Sequence, residues 1–188
     1  MDVEGVMALV ERAVAEGEEE PHPGASPEQI AELQRALGFP MPGELATWLR
    51  LCNSSVGLHG IFYGTGNQRP DLNIEWHLDR HPYWRDQRWI PVADDSCGNH
   101  YVIDCSQHLT ATPAAYFIDH TEDEDSLAYA VAATLPSLLR FLLEEDLEVP
   151  GYEGWPFDAN YVLSKDPDLS TIKDPSLLSW ANPGWRSR

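Results

Sequence analysis

Cysteine and histidine are the residues of this chain whose spacing first suggests chemistry. Cys97-x2-His100-x4-Cys105-x2-His108 has the residue types of a tetrahedral zinc site. The intervening Tyr101-Val102-Ile103 reads as a strand, however, and side chains alternate faces along a strand, so His100 and Cys105 should point apart. A buried strand with a core cysteine is the expected outcome. His77-x3-His81 would set two imidazoles on one helical face, with Glu75 and Asp79 nearby. Pro82 follows at once, and a solvated polar face is the default reading. Asp119-His120-Thr121-Glu122-Asp123-Glu124-Asp125 holds five carboxylates in seven residues. A calcium loop counted from Asp119 needs Gly at its sixth position and Glu at its twelfth, where Glu124 and Ala130 stand. Two readings of this segment remain: an acidic hairpin loop, or a patch for a basic partner. Gly64-Thr65-Gly66-Asn67 lacks the lysine and further glycine of a phosphate loop and reads as a loop glycine pair. Nucleophile signatures are missing, so the chain is expected to be no enzyme, with no cofactor and no metal.

The elements that would position these groups can be read from periodicity. Val6, Leu9, Val10 and Ala13 form the stripe of an amphipathic helix, followed by an acidic connector over residues 17–25. Ser26-Pro27-Glu28-Gln29 is a capping box opening a second helix, which Gly38 closes. A third helix begins near Pro42 and carries Leu45, Trp48, Leu49 and Cys52, ending at residues 53–57. The period then shortens, and strands are expected at 58–63, 89–93, 100–104, 115–119 and 127–131, with a short helix within 72–81. A closing helix spans about 135–147, and a Pro/Trp-rich tail contains a short helix at 159–165. The order of elements predicts an α+β fold with a mostly antiparallel sheet. Three parts are expected: residues 1–25, a core at 26–148, and an extension at 149–188 packed on that core.

Composition bounds the partners. The 188 residues include 12 Lys+Arg against 31 Asp+Glu, a formal charge of −19. Such a surface repels phosphate backbones and anionic lipid, so neither direct nucleic-acid binding nor membrane docking is expected. It favours a cationic protein partner and steered encounter. Three cysteines in no framework spacing, and an acidic start with no apolar signal core, point to a cytoplasmic protein with reduced thiols.

The stretch Trp89-Ile90-Pro91-Val92-Ala93-Asp94-Asp95-Ser96-Cys97-Gly98-Asn99-His100-Tyr101-Val102-Ile103-Asp104 resembles the strand–turn–strand signature of the SMI1/KNR4 family, the SUKH superfamily. Residues 26–37 and then Pro42, Leu45, Leu49 and Asn53 resemble its paired entry helices, and Phe117-x-Asp119-His120-x-Glu122 its next strand and acidic turn. Gly154-Trp155-Pro156-Phe157 is similar to tails on some bacterial members. Two departures stand out: Asn53-Ser54-Ser55-Val56-Gly57 replaces a tight Asn-Gly-Gly, and Asn99 stands where the family often has an acid. The resemblance implies a non-enzymatic binding domain. Bacterial members of this kind are immunity proteins that neutralise cognate toxins, often nucleases, of polymorphic toxin systems, and fungal relatives are regulatory. The expected contact residues are Asp94, Asp95, Asp119, Glu122, Asp123, Glu124 and Asp125, with Tyr63 or Trp84 as an aromatic anchor for a basic toxin domain. The alternatives are a regulatory or scaffold module docking a cellular client through Trp155, Trp180 and Trp185, and a metal-dependent hydrolase built on the His and carboxylate groups.

Overall fold

The computed structural model describes residues 3–17, 19–57, 60–110, 112–149 and 155–181. Helix α1 (Val3–Glu16) is followed by strand β1 (Glu19–Pro23), helices α2 (Pro27–Leu37) and α3 (Gly43–Leu51), and strands β2 (Cys52–Gly57) and β3 (Ile61–Phe62). Helices α4 (Ile74–Arg80) and α5 (Pro82–Gln87) precede strands β4 (Trp89–Asp94), β5 (His100–Asp104), β6 (Ala114–Ile118) and β7 (Tyr129–Ala132). Helices α6 (Leu135–Asp146) and α7 (Ala159–Lys165) and short 3-10 turns complete the described chain. The fold is α+β, with seven strands forming one antiparallel meander in chain order β1 to β7.

Local chemistry sets the helix ends. Ser26 Oγ accepts from the Gln29 amide at 3.2 Å, and Gln29 Oε1 accepts from the Ser26 amide at 2.8 Å, a reciprocal capping box with Pro27 in the first turn. Gly38 ends α2 in the left-handed conformation. Thr134 caps α6, and Asp158 caps α7 by accepting from Asn160 and Tyr161.

Both faces of the sheet are covered, which is why β4 to β7 are buried nearly throughout instead of alternating apolar and polar. Helices α4 and α5 lie on the face carrying His100 and Trp89, where Trp84 of α5 packs on His100 and Tyr83 on Trp89. On the opposite face lie α3, whose Trp48 meets Phe62 edge-on, and α6, whose Phe141 stacks on Trp155 beside Tyr101. Helix α1 packs against α6 and α3, burying Val3, Val6, Val10 and Ala13, while Leu9 is only half-buried.

Two segments differ from expectation. The connector over residues 17–25 contains strand β1, paired with β2, and the segment expected only to terminate α3 is β2 itself. Neither has a strand-like sequence. Pro21 and Pro23 suit an edge strand, which needs amide donors on one side only. Asn53, Ser54 and Ser55 in β2 are buried with polar partners: Asn53 Nδ2 donates to the Thr65 carbonyl, and Ser54 Oγ lies 2.7 Å from His22 Nδ1. The strand expected at 58–63 is confined to β3, with residues 58 and 59 outside the described set.

Beyond α6 the described part of the tail follows the β7 edge. Trp155 Nε1 donates to the Val131 carbonyl, the Ala133 amide donates to Asp166 Oδ2, and Leu178 forms a parallel bridge with Ala130. Trp185, expected in the docking element of the regulatory alternative, lies outside the described residues.

Candidate functional site

The hairpin between β4 and β5 is a polar turn closed by its own side chains. Asp94 Oδ1 accepts from the Ser96 and Ile61 amides, and Asp95 accepts from the Cys97 and Asn99 amides and from Asn99 Nδ2. Gly98 takes φ +96, a conformation that favours glycine. The Asn99 amide oxygen accepts from both the His120 amide and His120 Nδ1, at 3.1 and 2.8 Å. One neutral side chain thus ties this turn to the acidic loop after β6.

That loop is built from local turns. Asp119 Oδ1 accepts from the Thr121 amide and hydroxyl, and Asp123 Oδ1 from the Asp125 amide. Glu122, Asp123, Glu124 and Asp125 are exposed and Asp119 is half-buried. The loop is pinned from below: the indole Nε1 of Trp84 donates to the Glu124 carbonyl at 2.7 Å.

The structure therefore brings Asp94, Asp95 and the 119–125 carboxylates to one end of the sheet, and corrects the place of the two aromatic anchors. Tyr63 is 1% exposed and Trp84 is 0% exposed, so neither ring offers a surface to a partner. Tyr63 supports Asp94, donating its hydroxyl to Oδ2 at 2.8 Å, and Trp84 supports Glu124. Large aromatics with a polar tip do this when the ring is buried and the tip meets a surface segment.

A further group, dispersed along the sequence, gathers beneath the rim. His77 is not on a solvated face: it is 5% exposed and stacks on Tyr63 with centroids 3.9 Å apart. His100 lies 5.2 Å from the His77 ring and 5.9 Å from His81, and His81 stacks on Trp84 at 4.1 Å. With Trp76, Arg80 and Glu124, the three imidazoles line a cavity of about 620 Å³. The sequence itself spaces His77 and His81 at i, i+4; the approach of His100 follows only from where α4 lies on the sheet.

Hydrogen bonds assign the protons. Tyr63 has one hydroxyl proton and gives it to Asp94, so His100 Nδ1, 3.0 Å away, carries a proton and donates to the phenol oxygen. His77 Nε2 lies 3.0 Å from the Asp71 carbonyl and must also be protonated, which leaves His77 Nδ1 a buried lone pair with no hydrogen-bond partner. Burial pushes the His77 imidazole down to about 4, against the smaller upward pull of the Asp71 carbonyl. Burial and the neighbouring histidines push His100 down to about 3, and burial lowers His81. The cluster is neutral at pH 7, and it presents acceptors.

Among the described residues, no set of three or more His, Cys, Asp or Glu side chains is arranged to hold a metal ion. In the Cys97–His108 segment, Cys97 is exposed in the turn and Cys105 lies just beyond β5. Burial pushes the Cys105 thiol up to about 12, so it is protonated and unreactive at neutral pH. Gly64 proves to be a close-approach glycine: a β-carbon there would lie 2.5 Å from Asn53 Oδ1 and 2.7 Å from the Asn53 backbone.

A family description of the SMI1/KNR4 family (SUKH-1) matches residues 24–143. The chain belongs to the SMI1/KNR4 family. The matched region of this SMI1/KNR4 chain includes the Asp94 turn, the histidine cavity and the acidic loop; α1 and residues 155–181 lie outside it. A comparison with curated proteins finds no significant match. Among the described residues, no helix is long and apolar enough to cross a membrane.

Proposed function

We propose that this SMI1/KNR4 chain is a non-enzymatic immunity protein that binds and neutralises a basic toxin domain, a nuclease in the reading that best fits its charge. The observation that carries the proposal is the acidic rim: the Asp94–Asp95 turn and the 119–125 loop, tied through Asn99 and His120 and held from beneath by Tyr63 and Trp84. A nuclease concentrates cationic groups where it binds phosphates, and a rigid array of carboxylates can occupy that cleft in place of the substrate. Rim charge of this kind speeds encounter, while affinity rests on a few desolvated contacts. The site of action is the cytoplasm, where an incoming toxin meets its substrate.

The regulatory alternative has less support. Its docking element was the tail, and there the Trp155 ring packs against Phe141 and Tyr101 with its N–H engaged at Val131. The hydrolase alternative has no specific observation in its favour.

The test is affinity capture with the full chain from its own cells at low and at high salt, with identification of what is retained. Retention of a basic toxin-like domain, lost or slowed at high salt, is the expected result. Exclusive, salt-insensitive retention of a large cellular assembly would overturn the proposal.

A further inference from the structure

On the sheet face opposite the histidines lies a second cavity, of about 320 Å³. Tyr101, Phe117 and Tyr129 occupy facing positions on β5, β6 and β7, as the pairings Tyr101 to Phe117 and Phe117 to Tyr129 require. Their rings follow one another at centroid separations of 5.3 and 5.0 Å. The tail extends this row at both ends, with Trp155 6.1 Å from Tyr101 and Phe157 5.5 Å from Tyr129. All five of these aromatic residues line the cavity. Asp95 and Glu145 line it as well, the Asp95 carboxylate being hydrogen-bonded within its own turn.

We infer that this cavity is a binding site for an alkylammonium ion, and that the ion it takes is the side chain of a lysine on the partner. The second clause rests on the function proposed above; the first does not. Aromatic faces carry negative quadrupole density and attract cations, and several rings around one void with acidic residues beside it form an arrangement that selects an ammonium over an uncharged group of the same shape. A rounded ammonium suits enclosure on several sides better than a planar guanidinium, which prefers a slot and a bidentate acid. The local potential has the required sign. Burial raises the Tyr101 phenol well above its ordinary value, and the Glu145 and Asp95 carboxylates raise it further; Tyr129 is raised by burial and by Asp119 and Asp95. The negative field that opposes a phenolate there favours a cation.

The walls are fixed before any ligand arrives. Trp155 stacks on Phe141 with centroids 5.5 Å apart, and its Nε1 donates to the Val131 carbonyl at 3.2 Å. Tyr101, Phe117 and Tyr129 are buried in the sheet. Two of the five rings therefore come from outside the region matched by the family, so the extension completes a site that the 24–143 core alone would leave half-built.

The experiment is an NMR titration of the full chain, following the aromatic side chains, with four probes. Nα-acetyl-lysine methylamide is paired with its norleucine counterpart, and choline with its uncharged isostere 3,3-dimethylbutan-1-ol. The expected result is saturable binding of the lysine derivative, about ten-fold tighter than norleucine, and weakened about ten-fold in Glu145→Gln. Phe157→Leu, which keeps an apolar side chain in place, should weaken it as well. Saturable choline binding with no response to the lysine derivative would keep the ammonium site but overturn its assignment to a partner lysine. Norleucine binding as well as lysine, the alcohol as well as choline, or no saturable response to either cation would overturn the site itself. If lysine binds but no basic protein is captured, the cavity stands and the proposed function falls; if a basic partner binds wild type and Glu145→Gln alike, the partner-lysine clause falls and the acidic rim keeps its role.

Discussion

The Tyr63 hydroxyl donates to the Asp94 carboxylate across 2.8 Å, and the same oxygen accepts from His100 at 3.0 Å, so one phenol joins the signature turn to the histidine cavity. Removing the phenol oxygen leaves the His100 N–H and one Asp94 oxygen without that partner. Tyr63→Phe should therefore lower unfolding free energy by about 1–3 kcal/mol, measured by urea denaturation, while the ring contact with His77 is retained.

Stability should fall as the medium is acidified below the ordinary histidine range. His77 and His100 have folded-state values near 4 and 3, below the 6.5 of an unfolded histidine. At pH 7 both states are neutral; from about 6.5 downward the unfolded chain binds protons that the native cluster refuses. His77 alone would cost about 2 kcal/mol by pH 5. The groups facing the pair are Asp71, Arg80, His81, His120, Glu124 and, through Tyr63, Asp94. Urea melts at pH 7 and pH 5 should show a smaller drop in a His77→Phe, His100→Phe double variant than in wild type.

Glu122, Asp123, Glu124 and Asp125 are exposed on a pinned loop, so their charges can act at a distance without rearrangement. Once the partner is captured, the triple variant Asp123→Asn, Glu124→Gln, Asp125→Asn should slow association more than it speeds dissociation. Stopped-flow or surface binding kinetics at low and physiological ionic strength checks this, and the difference between variant and wild type should shrink with salt.

Gly64 should accept no side chain. A β-carbon would overlap the Asn53 backbone and amide oxygen, and the Asn53 and Thr65 hydrogen bonds leave little room to shift. Gly64→Ala is expected to destabilise by about 3 kcal/mol, read as a lower urea midpoint with unchanged m-value.

Asp166 holds the tail to the end of β7 by accepting from the buried Ala133 amide at 2.7 Å. Asp166→Ala should speed proteolytic loss of the segment after residue 149 well before the core is cut, whereas the wild-type tail should resist.

Much of this fold is legible in the residues. The Ser26–Gln29 box, the Tyr101-Val102-Ile103 run and the Asp158-capped helix each carry their own local signal, and each forms where that signal lies. Strands β1 and β2 do not, because prolines and buried Asn and Ser make strands only through partners distant in the chain. The same limit governs the site. The carboxylates of the rim are adjacent in sequence, but the roles of Tyr63 and Trp84 depend on which segment lies above them, and His77 meets His100 only because α4 packs on the sheet beside it. The ring row is visible as isolated aromatics; its closure by Trp155 and Phe157 depends on the path of the tail.

An open meander has two bare edges, each a template on which another chain could grow. The first is guarded by its own composition, since Pro21 and Pro23 interrupt the donor row of β1 and Glu20 adds charge. Strand β7, Tyr-Ala-Val-Ala, has no such protection and is the kind of short apolar strand that seeds sheet-to-sheet association. The tail lies along it, with Trp155, Asp166 and Leu178 occupying backbone positions of residues 130–133. The segment that walls the aromatic cavity is thus also a guard against aggregation, and a chain cut back to its family core would gain a sticky edge as it lost a binding site.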